Sequence, residues 1–211
     1  MTKETLLYQG AEAKIVKTIY LGYPVVEKRR INKRYRIQEI DNRLIAARTK
    51  EETKLMSAAR KQGVCVPIIY DVDLLKGIIT MEYLEGSRVK DIYNTFSDEK
   101  RKDLCKSIGE SIGRLHNGDI IHGDITTSNM ILCNDRIHLI DFGLGEINQD
   151  VEAKGVDLHV LMEAMESTHS VYAHEFKHVL EGYRLSYKGN PGEIEQKIKA
   201  VSYTHLTLPT N

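Results

Sequence analysis

The sequence predicts an α+β fold in two lobes, a small strand-rich first lobe and a mostly helical, minimal second one. Three observations predict it. Short β-branched runs separated by turn residues, interrupted by one helical stretch at 40–61, occupy the first eighty or so positions. After Ser97 the apolar residues recur at helical spacing instead. Between Ile121 and Gly143 the chain reads as loop, short hairpin and loop, a return that brings residues remote in sequence to one mouth. The expected boundaries are a first lobe over about 1–81, a hinge at 82–86 and a second lobe over 87–201.

The bulk numbers suit such a chain. Its 211 residues are long enough for a substantial core, and 41% hydrophobic with 28% charged is ordinary for a globular protein. Thirty basic residues balance thirty acidic ones, but unevenly. Residues 1–80 carry sixteen Lys/Arg against nine Asp/Glu, net +7, and the remainder is net −7. A basic first half suits phosphate, nucleic acid or an acidic surface, although a bipolar protein with no such partner has the same count. Cys65, Cys105 and Cys133 are widely spaced and odd in number, which reads as reduced thiols, not a disulfide or zinc framework. No apolar run approaches a membrane span and the N-terminus lacks a signal-like apolar region, so a cytoplasmic location without membrane contact is expected.

Leu6–Gln9 and Ala13–Lys17 read as two strands around a tight turn, where Gly10 and Ala11 are small enough for backbone N–H groups to approach a phosphate. The turn has one glycine and is not a Walker A loop. Tyr23–Lys28 is a β-branched run ending in a lysine able to reach nucleotide phosphates. Among Lys28, Arg29, Arg30, Lys33, Arg34 and Arg36, a solvated cationic face is the better reading for most. Residues 40–61 are helical, with Leu44, Leu55 and Ala59 on a stripe that also holds Arg48 and Glu52. A carboxylate on a buried stripe wants a cation, and Lys28 is the candidate; a surface Glu52–Arg48 pair is the alternative.

Gly63 and Pro67 end that helix, and Val66–Ile69 and Gly77–Met81 read as buried strands. The hinge Glu82–Gly86 offers backbone groups to an adenine edge. Ser97, followed by Asp98 and Glu99, caps a helix whose apolar face is Leu104, Ile108, Ile112 and Leu115. Then comes His122-Gly123-Asp124-Ile125-Thr126-Thr127-Ser128-Asn129, with Asp141-Phe142-Gly143 following after the hairpin. Asp124 suits a base toward a nucleophile's proton, and Asn129 and Asp141 are hard oxygen donors suited to Mg²⁺. The paired motifs at this spacing are specific where a lone Asp-Phe-Gly is not. Val156–Met165 reads as a buried helix.

His174-Glu175-Phe176-Lys177-His178 matches the zincin pattern His-Glu-x-x-His. On a helix with its apolar stripe at Phe176, Val179, Leu180 and Tyr183, both histidines would face solvent, and no third ligand follows. An exposed histidine pair is the expectation, not a zinc site.

Taken together, these motifs resemble a protein kinase in the right order. More narrowly, the chain resembles the small atypical kinase/ATPase subunits of KEOPS complexes, over roughly residues 5–200. The resemblance rests on Gly10-Ala11-Glu12-Ala13, Lys33–Arg36, Ile40-Asp41 with Leu44, Arg48-Thr49 with Glu52, His122–Asn129, and Val156-Asp157-Leu158. It implies a two-lobed protein kinase-like fold that binds ATP and Mg²⁺. By position, Gly10, Ala11, Glu12, Ala13 and Lys28 would contact the nucleotide, with Glu52 pairing Lys28. Met81 would stand behind the adenine, with the Glu82 carbonyl and Leu84 amide on its edge. Asp124 would be the catalytic acid/base, Asn129 and Asp141 the metal ligands, and Asp157 a brace for the catalytic loop. The implied activity is Mg²⁺-dependent ATP hydrolysis and Ser/Thr phosphorylation in support of tRNA threonylcarbamoylation. The implied partners are the tRNA threonylcarbamoyl transferase subunit and a small regulatory subunit, with tRNA contact through the complex. A RIO-type kinase of ribosome maturation, or a nucleotide-bound scaffold without essential chemistry, are the alternatives.

The chain departs from these patterns. The usual kinase Asp-Leu-Lys-Pro is Asp124-Ile125-Thr126-Thr127 here, without the lysine. No Ala-Pro-Glu follows, and twelve residues separate Gly143 from Val156, too few for a peptide-docking platform. Ile37-Gln38 stands where the family has His-Pro. Instead of a basic tail the chain ends in Ser202–Asn211, which resembles a cloning or sequencing artefact and is set aside as a non-native tail.

Overall fold

The computed structural model describes residues 4–33 and 37–206. They pack as two compact units, one of the described residues within 4–56 and 67–85, the other of those within 57–66 and 86–206.

The first unit is built on strands β1 (Thr5–Gln9), β2 (Ala13–Tyr20) and β3 (Tyr23–Arg30), helix α1 (Gln38–Lys61), and strands β4 (Ile69–Asp73) and β5 (Ile78–Glu82). The sheet is antiparallel, in the order β1-β2-β3-β5-β4. β2 and β3 pair without a slip from Ala13↔Arg30 to Tyr20↔Tyr23, because Leu21 and Gly22 both adopt positive φ, as a two-residue hairpin turn requires. β1 lies at the edge with all five residues exposed. The core gathers Val16, Val25, Ile45, Leu55, Met56, Ile79 and Met81.

Three details differ from the sequence reading. The buried stripe of α1 holds Leu55, Ala59 and Glu52 as expected, together with Asp41, Ile45, Thr49 and Met56, while Leu44 and Arg48 are exposed. Arg48 turns outward to Glu12, so Leu44 beside it stays on the solvent side. The strand expected at Val66–Ile69 begins only at Ile69. Pro67 has no N–H to give a ladder, and the Val66 carbonyl accepts instead from Arg60. Among its described residues, the basic run is partnered on both sides of the strand and is not left to solvent. Lys28 and Arg30 are buried, Arg29 pairs with Glu4 and Glu27, and Lys33 donates to the Ala11 carbonyl. Arg34 and Arg36 lie outside the described residues.

The second unit takes the end of α1 and the turn after it, residues 57–66, which the sequence reading placed in the first lobe. Gln62 packs on Gly118, and the Cys65 carbonyl accepts from the Leu139 amide, which ties this segment to the second unit. The unit continues through β6 (Ser87–Arg88), α2 (Val89–Ile92), α3 (Asp98–Asn117), β7 (Ile120–Ile121), β8 (Met130–Cys133), β9 (Arg136–Leu139), β10 (Glu146–Ile147), α4 (Val151–Thr168), α5 (Phe176–Ser186) and α6 (Pro191–Leu206). Ser97 caps α3, accepting from the Lys100 amide, and Leu104, Ile108, Ile112 and Leu115 are all buried. The β8–β9 hairpin turns at Asn134 and Asp135, both with positive φ. α6 runs through Leu206, so residues 202–206, set aside on the sequence, continue that helix; 207–211 lie outside the described residues.

The His-Glu-x-x-His segment does not form one helix. A short 3₁₀ turn (Ser170–Glu175) ends before α5 begins, and Glu175 is buried, accepting from Arg101 at 2.9 Å and Tyr93 at 2.7 Å. His174 is exposed, whereas His178, expected in solvent, is largely covered and lies 3.1 Å from Glu181. Among the described residues no cluster of His, Cys, Asp and Glu is arranged to hold a metal ion, and no helix is long and apolar enough to cross a membrane.

Candidate active site

In the first unit, alternation along β3 puts Lys28 and Arg30 on one face, toward α1. Glu52 receives both. Lys28 Nζ donates to Oε1 at 2.6 Å and Arg30 Nη2 to Oε2 at 2.5 Å. A buried carboxylate with a cation on each oxygen is satisfied in charge and in hydrogen bonding. Arg30 was missed on the sequence. The period-2 spacing from Lys28 was the available signal, hidden by the density of the basic run.

The Gly10–Ala13 turn is held from several directions. Gly10 N donates to Ala13 O at 3.0 Å, Ile31 N to Glu12 O at 2.9 Å, and Lys33 Nζ to Ala11 O at 2.5 Å. The Glu12 carboxylate meets Arg48 Nη1 at 3.0 Å through both oxygens. At the end of β5, Met81 and Leu84 are buried. Glu82 donates its amide to Ile68 O at 2.8 Å and accepts from Ile68 N at 3.0 Å through its carboxylate, which fixes the last residue of the strand.

In the second unit, β7 delivers the chain to the His122–Asn129 loop. Asn129 Nδ2 donates to both the Asp124 carboxylate (2.8 Å) and the Asp124 carbonyl (3.0 Å), so amide and acid are locked together. Ile140 N donates to Asn129 O at 3.0 Å, extending the β8–β9 ladder by one step and setting Asp141 beside this pair in the chain path. Asp141 is exposed, has φ +64°, and accepts from the Gly143 amide at 3.2 Å.

Two histidines and one acid hold this loop. Both oxygens of buried Asp157 accept from the loop backbone, Oδ2 from His122 N and Oδ1 from Gly123 N, each at 2.9 Å. His116 Nε2 lies 3.3 Å from Asp157, and its Nδ1 lies 2.9 Å from the Tyr183 hydroxyl. Since a carboxylate only accepts, Nε2 carries a proton and donates it to Asp157. Burial alone would raise the Asp157 carboxyl, but His116 beside it and the His122 amide hold it below the ordinary value. His122 Nε2 is 3.1 Å from the Ile140 carbonyl and its Nδ1 accepts from the Asp124 amide at 3.3 Å. That pairing needs a neutral ring, and burial does push its pKa down, against the pull of Asp157, Asp141 and Asp124. Gly123 has φ +80°, and a Cβ there would meet the Leu144 carbonyl at 2.3 Å, so only glycine fits between His122 and Asp124.

In chemical type, though not as a preassembled cluster, the oxygens of Asn129 and Asp141 suit magnesium. With Nδ2 spent on Asp124, Asn129 keeps its amide oxygen as a donor, and Asp141 adds an exposed carboxylate. Mg²⁺ characteristically takes one or two carboxylates and fills its remaining positions with phosphate oxygens and water.

A strand-rich unit with a buried lysine–glutamate pair, and a helical unit carrying this loop and Asp-Phe-Gly, define a protein kinase-like domain. The RIO domain family matches over residues 9–167, and the chain belongs to it, on the branch of the KEOPS-complex subunits. The KEOPS complex subunit Bud32 of Pyrococcus abyssi is 46% identical over 206 residues, 93% of each chain. A probable bifunctional tRNA threonylcarbamoyladenosine biosynthesis protein of Methanobrevibacter smithii is 44% identical over 96% of this chain, which spans 37% of that longer protein. Among solved structures, a Rio2 kinase–ADP/Mg²⁺–phosphoaspartate complex from Chaetomium thermophilum aligns with TM-score 0.67 at 16% identity, covering 96% of this chain and 66% of that one. WaaP in complex with acyl carrier protein aligns at TM-score 0.66 and 13% identity, over 97% and 88%. At such identities these two share the fold.

Proposed function

We propose that this chain is a Mg²⁺-dependent ATPase and atypical Ser/Thr kinase that supports tRNA N6-threonylcarbamoyladenosine modification as a KEOPS subunit. The observation that carries the chemistry is the Asn129–Asp124 lock with Asp141 one residue beyond the Ile140–Asn129 bond. The relatives' names carry the biological role.

On this reading Lys28, held by Glu52, binds the α- and β-phosphates. The Gly10–Ala13 turn offers backbone amides to the phosphates. Met81 backs the adenine, and the Glu82 carbonyl and Leu84 amide meet its edge. Asp124 orients the attacking water or protein hydroxyl and takes its proton as the nucleophile's oxygen bonds to the γ-phosphorus, while the bond from that phosphorus to the β,γ-bridging oxygen breaks and ADP leaves. Asn129 and Asp141 would hold Mg²⁺, whose charge would offset that of the phosphate oxygens. Catalysis is then mostly positioning and electrostatics. Twelve residues between Gly143 and Val156 leave little platform for a peptide, which favours a partner-controlled ATPase over a general signalling kinase. The partners are a tRNA threonylcarbamoyl transferase subunit and a small regulatory subunit, in the cytoplasm.

The test is ATP turnover by the purified chain, with and without the tRNA-modifying partner. Asp124→Ala is expected to abolish it and leave the melting curve cooperative. Turnover at the unmutated rate in Asp124→Ala would overturn the role given to that acid. Retained tRNA modification in cells carrying only that variant would identify a scaffold instead.

A further inference from the structure

The loop of Asp124 and Asn129 has a second support, separate from Asp157. Residues Thr127–Asn129 form a single 3₁₀ turn, closed by Asn129 N donating to Thr126 O at 3.0 Å. Thr126 occupies the N-cap position, yet its side chain makes no capping bond. The turn is held through Thr127 instead. Thr127 is buried, and its Oγ1 lies 3.0 Å from Nε2 of His169, forty-two residues away.

His169 is set up to accept that hydroxyl. It is the residue at which α4 stops, its amide donating to Met165 O at 2.8 Å and its carbonyl accepting from Tyr172 N at 2.8 Å, so the backbone is tied on both sides. Its ring is 2% exposed and packs on Tyr93, centroids 4.6 Å apart. Nδ1 lies 2.7 Å from Asn94 Oδ1, an acceptor, which places the proton on Nδ1 and leaves Nε2 as a lone pair. Tyr93 is anchored in turn by its hydroxyl on Glu175, which Arg101 holds.

We propose that His169 is a positioning residue for phosphoryl transfer: fixed by Asn94, it accepts the Thr127 hydroxyl and thereby sets the turn that aims Asn129 at Asp124. Burial lowers the His169 pKa, with Lys90 adding to the effect, which keeps the accepting form at neutral pH. Loss of the Nε2–Oγ1 bond frees the turn at its first residue and lets the Asn129 amide drift from Asp124. Lys28 and the turn at Gly10 are untouched, so the loss falls on kcat and not on the KM for ATP. The inference rests on the phosphoryl-transfer reading given above.

Two readouts separate the two ideas. In Thr127→Val, which keeps shape and removes the hydroxyl, kcat for Mg·ATP hydrolysis is expected to fall roughly 10- to 100-fold, the scale of a slight misplacement of reacting groups. KM for ATP should stay near the unmutated value. Thr127→Ser should restore kcat. His169→Ala should match Thr127→Val, and the double variant should lose no more than the larger single. Independently of turnover, hydrogen exchange at the Asn129 amide should quicken in both single variants, and ¹⁵N spectra should show His169 protonated on Nδ1. A well-folded Thr127→Val with unchanged kcat and unchanged Asn129 exchange would overturn the proposal, as would a His169 protonated on Nε2. If the unmutated chain lacks turnover while Asn129 exchange still responds, the ATPase reading fails and the loop support stands.

Discussion

Glu52 shows what one carboxylate does when two cations close on it. Lys28 and Arg30 each hold one of its oxygens at 2.6 and 2.5 Å, with all three side chains buried. Glu52→Gln would leave two cations facing a neutral amide, and breaking a buried pair this way costs about 3–5 kcal/mol. That loss should appear as a lower urea midpoint with an unchanged m-value, and as a raised KM for ATP because Lys28 is no longer held. A midpoint within error of the unmutated chain would refute the triad's contribution. The sequence could show that Glu52 wanted a cation, since it sits among apolar helix positions. It could not show that Arg30 shares it, because six basic residues in nine positions look alike until the pleat of β3 sorts them. Arg48 misled for a related reason. Its i,i+4 spacing to Glu52 is visible, but its actual partner Glu12 lies on another element.

At the scale of elements, α3 and α5 approach so closely that glycines form the seam. A Cβ on Gly109 would lie 1.9 Å from the Val179 carbonyl, and one on Gly182 would lie 2.0 Å from the Lys106 carbonyl. Backbone cannot move aside as a flexible side chain can. Either Gly→Ala change should therefore destabilise despite alanine's better helix propensity, by about 1–3 kcal/mol, the usual cost of overpacking. Thermal melts of both variants check the sign; a rise in Tm would show that the helices can part. The cap at Ser97 and the apolar face of α3 were legible because both are local patterns. The break between the 3₁₀ turn and α5 was not. It follows Glu175 inward to Arg101 and Tyr93, partners 74 and 82 residues away that no helical period can register.

For the whole molecule, buried neutral histidine and buried ionised aspartate set the response to acid. His122 and His169 have pKa values below the ordinary histidine value of about 6.5. Above that value neither folded nor unfolded chain binds the proton. As pH falls below it, the unfolded chain takes protons the folded one refuses, so stability declines until the lowered folded values are passed. His122 alone can contribute at most about 1.4 kcal/mol per pH unit across that window. Asp157, held below the ordinary carboxylate value, adds a separate loss at more acid pH, as it falls through its folded pKa. Urea midpoints at pH 7.5, 6.5 and 5.5 should be flat over the first interval and fall over the second; His122→Asn should blunt the fall. The order of motifs along the chain revealed the kinase-like architecture, because each motif carries its own chemistry. Which residues go with which unit was less visible, since the allegiance of 57–66 rests on Gln62 and Cys65 touching residues far along the chain. The exposed edge strand β1 has its own consequence for such a molecule. With none of its five side chains buried, it depends on its ladder to β2 and on surface contacts such as Glu4 on Arg29, so it should open more readily than the central strands. The Gly10 turn need not follow it, since Lys33, Arg48 and Ile31 grip that turn from the other side. Amides of residues 5–9 should therefore exchange faster than those of β3, baring the outer rim of β2 to solvent or to a strand from another chain, while the turn beside them keeps its shape.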